Sequence, residues 1–245
     1  MKLRDLKNIV VLDIETVSSV EKFELLPERI QAQWNRKSQF IKNEDELSSE
    51  ELFFEKGGIY AEFGKVISIG LGVFYANENG ETSLRVKALS NENERELLLE
   101  FKALIEEKFD SDLLKFCSHN GKEFDFPYLC RRMLINKINI PEALNLRDRK
   151  PWEVQHLDTM DMWKFGDRKN YTSLELLTAL FGIETSKISD GDYIDGSLVN
   201  KVYYQEKDIE RINKYCKNDV VATAQLLLCL NNLDLMEDEN ITILD

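Results

Sequence analysis

Residues 8–14 read NIVVLDI, apolar and β-branched at nearly every position, the pattern of a strand covered on both faces. A polar stretch follows over 18–56, where Phe23, Leu26, Ile30 and Trp34 recur at helical spacing. It predicts a helical insertion on the surface rather than a separate domain. KVISIGLGVFY at 65–75 is a second strand, and 82–89 a third, entered through the turn-like NENG. The short connections make these three an antiparallel meander. Leu97, Leu98, Phe101, Leu104, Ile105 and Phe109 predict a helix over 92–109. A strand over 113–119, a helix over 123–136, a short strand over 155–160 and a helix over 173–181 come next, the last stopped by Gly182. A long helix spans 208–230, and the acidic tail from about 231 reads as loose. This order predicts an α/β fold in one domain over 1–245: a mixed sheet, the meander plus parallel strands, with helices on both faces.

Composition narrows the class. A chain of 245 residues can bury a full core without a disulfide or structural metal. Its formal net charge of −13 argues against a protein that coats nucleic acid, because Lys and Arg carry such binding. It leaves room for an enzyme that grips one strand end through metal ions, whose charge inverts the local electrostatics. Four isolated cysteines and two histidines give no zinc spacing, so reduced thiols in a cytoplasmic protein are expected. The apolar run at 9–12 is too short for a signal-peptide core, and no run approaches membrane-spanning length.

Three places carry candidate chemistry. In Asp13-Ile14-Glu15 the two acids share one side of a strand. Like charges held together there suit an oxygen-seeking cation such as Mg²⁺ or Mn²⁺. Asp125 follows a strand-to-helix junction, in the first turn of a helix and near its positive end. Tyr215 and Asp219 lie four apart on one helix face, which continues through the apolar Ala222 and Leu226. Read singly, each has an ordinary explanation: solvated acids past a strand end, a favourable first-turn acid, or an Asp beside a core Tyr. Together they make a site of four acids, whose charge two divalent cations would offset. A sugar hydrolase built on a carboxylate pair would leave the tyrosine and the fourth acid without a role.

DIET, HNGKEFD and YCKND stand in the order and character of the three exonuclease motifs of the DEDD superfamily. Asn120…Phe124-Asp125 is similar to N-x-x-x-F-D, and Tyr215…Asp219 to the Y-x-x-x-D of the tyrosine subtype. IYAEFGKVISIGLGVF, HLDTMDMWKFG, YIDGSLV and YCKNDVVATAQLLL resemble the stand-alone group related to the proofreading domain of family-B DNA polymerases. The resemblance implies a ribonuclease-H-like fold and two-metal hydrolysis at a 3′ end, with single-stranded DNA as the expected substrate. Asp13, Glu15, Asp125 and Asp219 would hold two cations, Mg²⁺ or Mn²⁺, and Tyr215 would orient the attacking water. Thr16, Asn120 and Phe124 are the expected substrate contacts, although Phe124 also fits a core position under its helix. The loop Tyr193-Ile194-Asp195-Gly196 and the insertion are further places to hold the strand end. His119 and His156 are expected to be structural or at the surface, and Trp34, Trp152 and Trp163 to pack; Asp158 and Asp161, near a strand end, are expected to be solvated or helix-capping, with support of the site from behind the ligating acids as the alternative. An exoribonuclease acting on RNA 3′ ends and a non-catalytic nucleic-acid-binding module are the alternatives. The polymerase-like stretches favour DNA, and the complete set of acids favours catalysis.

Overall fold

The computed structural model describes residues 3–167, 171–184 and 194–244. Six strands form one sheet: β1 (Ile9–Ser18), β2 (Gly64–Ala76), β3 (Thr82–Ser90), β4 (Lys115–Ser118), β5 (Leu157–Asp158) and β6 (Ile241–Ile243). Their order across the sheet is β5-β4-β1-β2-β3-β6. β1, β2 and β3 pair antiparallel, while β4 runs parallel to β1, β5 to β4 and β6 to β3. The α-helices among the described residues are α1 (Leu3–Leu6), α2 (Glu28–Ser38), α3 (Ser49–Lys56), α4 (Glu94–Lys108), α5 (Asp125–Ile135), α6 (Thr159–Lys164), α7 (Leu174–Phe181), α8 (Val199–Lys201) and α9 (Ile209–Leu230).

Alternation along β1 divides the core. Val10, Leu12 and Ile14 pack with Leu97, Leu98 and Phe101 of α4 and with Phe126 and Leu129 of α5. Ile9 and Val11 turn the other way, to Val220, Ala224 and Leu227 of α9. The same alternation directs Asp13 and Glu15 towards α9. That helix lies close on the sheet because β2 carries glycine opposite it. Gly70 is the β2 partner of Asp13, and a Cβ there would come within 2.9 Å of Cys216 Sγ and 2.8 Å of Val220 Cγ2.

Several expected bounds shift. β1 runs four residues past Ile14, with a register irregularity between Glu15 and Thr16, so the acids lie within the strand and not at its end. The expected strand over 155–160 shrinks to Leu157–Asp158, because the Asp158 carboxylate accepts from Met160 N and Asp161 N and starts α6 at once. The tail is not loose. Gln225 holds Met236 by two hydrogen bonds, 2.7 and 3.0 Å, and β6 then pairs with the edge strand β3. The insertion forms α2 and α3 around a cluster of its own, Phe23, Trp34, Phe53 and Phe63. Trp34 is fully buried and Trp163 meets Phe181 edge-on, but Trp152 is 77% exposed, with the Lys150 ammonium over its ring in place of a packing partner.

Candidate active site

Asp13, Glu15 and Cys216 form a group of metal-capable side chains whose ligand atoms lie within 4.8 Å of one another. The Cys216 thiol donates to Asp13, at 3.4 Å from Oδ2. Burial first, then the Asp13 and Glu15 charges, push this thiol well above its usual range, so it stays protonated. Sequence reasoning gave Cys216 no role. Its position one residue after Tyr215, on the turn of α9 that faces Gly70, was the available signal.

Tyr215 sits one turn before Asp219 and is hydrogen-bonded to it. Burial raises the phenol's pKa most, and the Glu15, Asp219 and Asp13 carboxylates raise it further. The side chain is therefore a proton donor in hydrogen bonds, not a base. The influence of three carboxylates on one phenol also gives the electrostatic character of the site: negative, oxygen-rich and 6–8% exposed at Glu15 and Asp219. Hard divalent cations are the partners that such a donor set fits.

Asp125 reaches the same strand from the other direction. β4 pairs with β1 only from Ile9 to Val11; beyond it, side chains take the place of a strand on this side, the Ser118 hydroxyl donating to Leu12 O. Asp125, the first residue of α5, fills the gap: its Oδ1 accepts from Ile14 N at 3.2 Å, between the two β1 acids. Only 3% exposed, its carboxyl is pushed up to about 7, by burial above all and also by the Asp158 charge, against the hydrogen bonds from its own backbone amide and from Ile14.

The structure thus brings Asp13, Glu15, Tyr215 and Asp219 together and ties Asp125 to the strand that bears the first two. The other expected residues lie around them. The Thr16 hydroxyl donates to Gly58 O at 2.9 Å, joining β1 to the segment after the insertion. Tyr128 OH donates to the same carbonyl at 2.8 Å. Asn120 holds a left-handed backbone at φ 64°, and its buried Oδ1 finds no hydrogen-bond partner among the described residues. Phe124 is half-buried, packed on the core and against the Tyr128 ring at 5.3 Å. Of the loop Tyr193-Ile194-Asp195-Gly196, Tyr193 lies outside the described residues, and Ile194 is buried with Val17 and Ile212. His119 is fixed between Thr159 Oγ1 and Thr172 O, both at 2.9 Å. His156 lies under Phe116 and Phe126, where burial lowers its pKa to about 4 and keeps it neutral.

The sheet order and the carboxylates gathered between the central strand and a long helix define an α/β protein with an acidic, cation-suited site. The profile of a family described as "Predicted 3'-5' exonuclease related to the exonuclease domain of PolB" matches residues 59–239. The chain belongs to that family. It is 27% identical over 191 residues to a DNA polymerase of Pyrococcus glycovorans, covering 72% of this chain and 23% of the polymerase. The fold is similar to that of the family B DNA polymerase from the archaeon Pyrobaculum calidifontis, with a TM-score of 0.52 at 14% identity, covering 90% of this chain and 24% of the polymerase. The chain thus spans about a quarter of the length of each relative. Among the described residues no helix is long and apolar enough to cross a membrane.

Proposed function

We propose that this chain is a metal-dependent 3′→5′ exonuclease of the tyrosine DEDD subtype, acting on the 3′ end of single-stranded DNA and releasing nucleoside monophosphates. The observation that carries the reading is the approach of Tyr215 and Asp219 on α9 to the acid pair Asp13 and Glu15 on β1. In it, Asp13, Glu15, Asp125 and Asp219 hold two divalent cations, Mg²⁺ or Mn²⁺. When bound, such a pair supplies charge neutralisation for in-line displacement at phosphorus.

The chain's own groups do the rest. Tyr215, kept protonated by burial and its carboxylate neighbours and donating to Asp219, would orient the attacking water through the acceptor side of its hydroxyl oxygen. Asp125 holds its place through Ile14 N. The half-buried Phe124 and Asn120, both in the segment that leads into Asp125, would be the contacts for the terminal nucleotide. Because the Thr16 hydroxyl gives its proton to Gly58 O, a nucleotide contact from that hydroxyl would be as an acceptor only.

The test is digestion of a 5′-labelled single strand with Mg²⁺, Mn²⁺ or EDTA, beside Asp219→Ala and a matched RNA. The expected result is a ladder shortening from the 3′ end, lost in EDTA and reduced at least about 1,000-fold in the variant, in keeping with loss of a group that acts in the transition state. Cleavage of the RNA alone would transfer the activity to RNA ends. No cleavage of either strand would leave a binding module.

A further inference from the structure

Asp158 is among the most buried acids of the chain, 2% exposed, and the proposed chemistry does not use it. Its two oxygens accept four backbone N–H groups from two segments. Oδ1 takes Asn120 N at 3.0 Å, Met160 N at 3.0 Å and Asp161 N at 3.2 Å; Oδ2 takes Lys122 N at 3.1 Å. A helix cap needs only the Met160 and Asp161 contacts. The other two reach across 38 and 36 residues to the loop between β4 and α5.

That loop carries Asn120 in its left-handed conformation and delivers Asp125 to Ile14 N. It is clamped to the start of α6 at further points. His119 Nδ1 meets Thr159 Oγ1 at 2.9 Å, and Lys122 Nζ pairs with Asp161 at 3.4 Å. Gly121 is pressed so closely on Ser118 that a Cβ would lie 2.3 Å from the Ser118 Cβ. Ser118 Oγ in turn donates to Leu12 O at 2.6 Å, next to Asp13.

We infer that Asp158 is a positioning residue for the exonuclease centre: by gathering the Asn120 and Lys122 amides, its carboxylate sets the loop that places Asp125 against Ile14 N between Asp13 and Glu15. This rests on the assignment of Asp125 to that centre. A carboxylate suits the task because it only accepts hydrogen bonds and offers two oxygens to diverging donors. An amide would present a donor to one of the four N–H groups. A hydroxyl would cap α6 but fall short of the loop.

The substitutions follow from that difference. Asp158→Ser keeps the α6 cap and releases the loop, whereas Asp158→Asn keeps the size and spoils the Lys122 contact. Amide exchange by NMR on the full chain reads the placement without any activity, because the Ile14 amide is held by Asp125 itself. We expect exchange at Asn120, Lys122 and Ile14 to quicken at least about tenfold in Asp158→Ser, while amides of β2 and β3 keep their protection. Calorimetric titration with Mn²⁺ should show at least tenfold weaker binding. For a carboxylate displaced by about 1 Å, kcat should fall roughly 10- to 100-fold with a smaller change in KM. Asp158→Asn should lie between Asp158→Ser and wild type on each readout, and it carries the test alone if Asp158→Ser does not fold. Unchanged Ile14 exchange and Mn²⁺ affinity in a folded variant would overturn the inference, as would uniform loss of protection throughout the sheet. If wild type cleaves no strand, the exonuclease reading fails by itself, and Ile14 exchange still decides whether Asp158 sets the loop.

Discussion

Asp125 shows at the residue scale how the proposed function works against stability. Its carboxyl is raised from 3.8 to about 7 in the folded chain, so the folded state holds a proton that the unfolded state gives up. Stability from this group therefore grows as pH falls from about 7 towards 3.8, and the charged form is penalised above 7. His156 has the opposite slope. Its pKa is lowered to about 4, so stability is lost as pH falls from 6.5 through 4, when the unfolded imidazole takes up a proton first. Asp125→Asn keeps an acceptor for Ile14 N and removes the buried charge. Without divalent ions it should be more stable than wild type at pH 8, by on the order of 3 kcal/mol, and the difference should vanish near pH 4. It should also unmask the loss of stability on acidification caused by His156. Denaturant titrations in EDTA at pH 8 and pH 4.5 check this; an equal difference at both would refute it. The same variant should have no nuclease activity.

At the scale of elements, legibility in the sequence followed the source of each signal. β1 to β3, α4 and α9 were plain because long apolar periods fixed them, and the carboxylates stood out because acids interrupt those periods. What was hidden depended on contacts between distant residues. The depth of Asp158 comes from amides 36 and 38 residues away. The ordered tail depends on Gln225 holding Met236. The buried pair of Glu94 and Arg132, which also takes up Val66 N, looks from sequence like two ordinary helix-surface charges. Gly70 belongs here too, since a glycine in a strand pattern signals close approach without saying to what. Gly70→Ala puts a Cβ within 3.2 Å of the Cys216 carbonyl as well as against its thiol, so α9 must move away from β1. Overpacking of this kind costs about 1–3 kcal/mol. Because α9 carries Tyr215 and Asp219, the substitution should also lower kcat by at least about tenfold at a temperature where the protein stays folded. Thermal denaturation and single-turnover assays separate the two effects, and a destabilised variant with wild-type turnover would show that the spacing of α9 from β1 does not govern the site.

For the whole molecule the decisive quantity is charge. Thirty-two Lys and Arg face 45 Asp and Glu, and two bound divalent cations would offset only part of the excess. A polyanionic strand approaching this protein meets repulsion over a Debye length, about 10 Å at 0.1 M salt, and attraction only where cations sit. Added salt then has two opposed effects. It screens the long-range repulsion, which helps association, and it weakens whatever phosphate contacts Lys and Arg make. For a single strand the second effect gives a slope of about −0.7 per neutralised phosphate in a plot of log affinity against log salt. With one or two such contacts and relief of repulsion acting against them, kcat/KM on a single-stranded oligonucleotide should vary with KCl at a slope between about 0 and −1.5, at fixed free Mg²⁺. A slope steeper than about −4 would require roughly six phosphate contacts, which means a basic track along the strand that outweighs the net charge. A shallow slope together with steep dependence on the divalent ion would place the hold on substrate at the metal-bound 3′ terminus. The enzyme would then release the strand easily after each cut and shorten many strands in parallel before finishing any one of them.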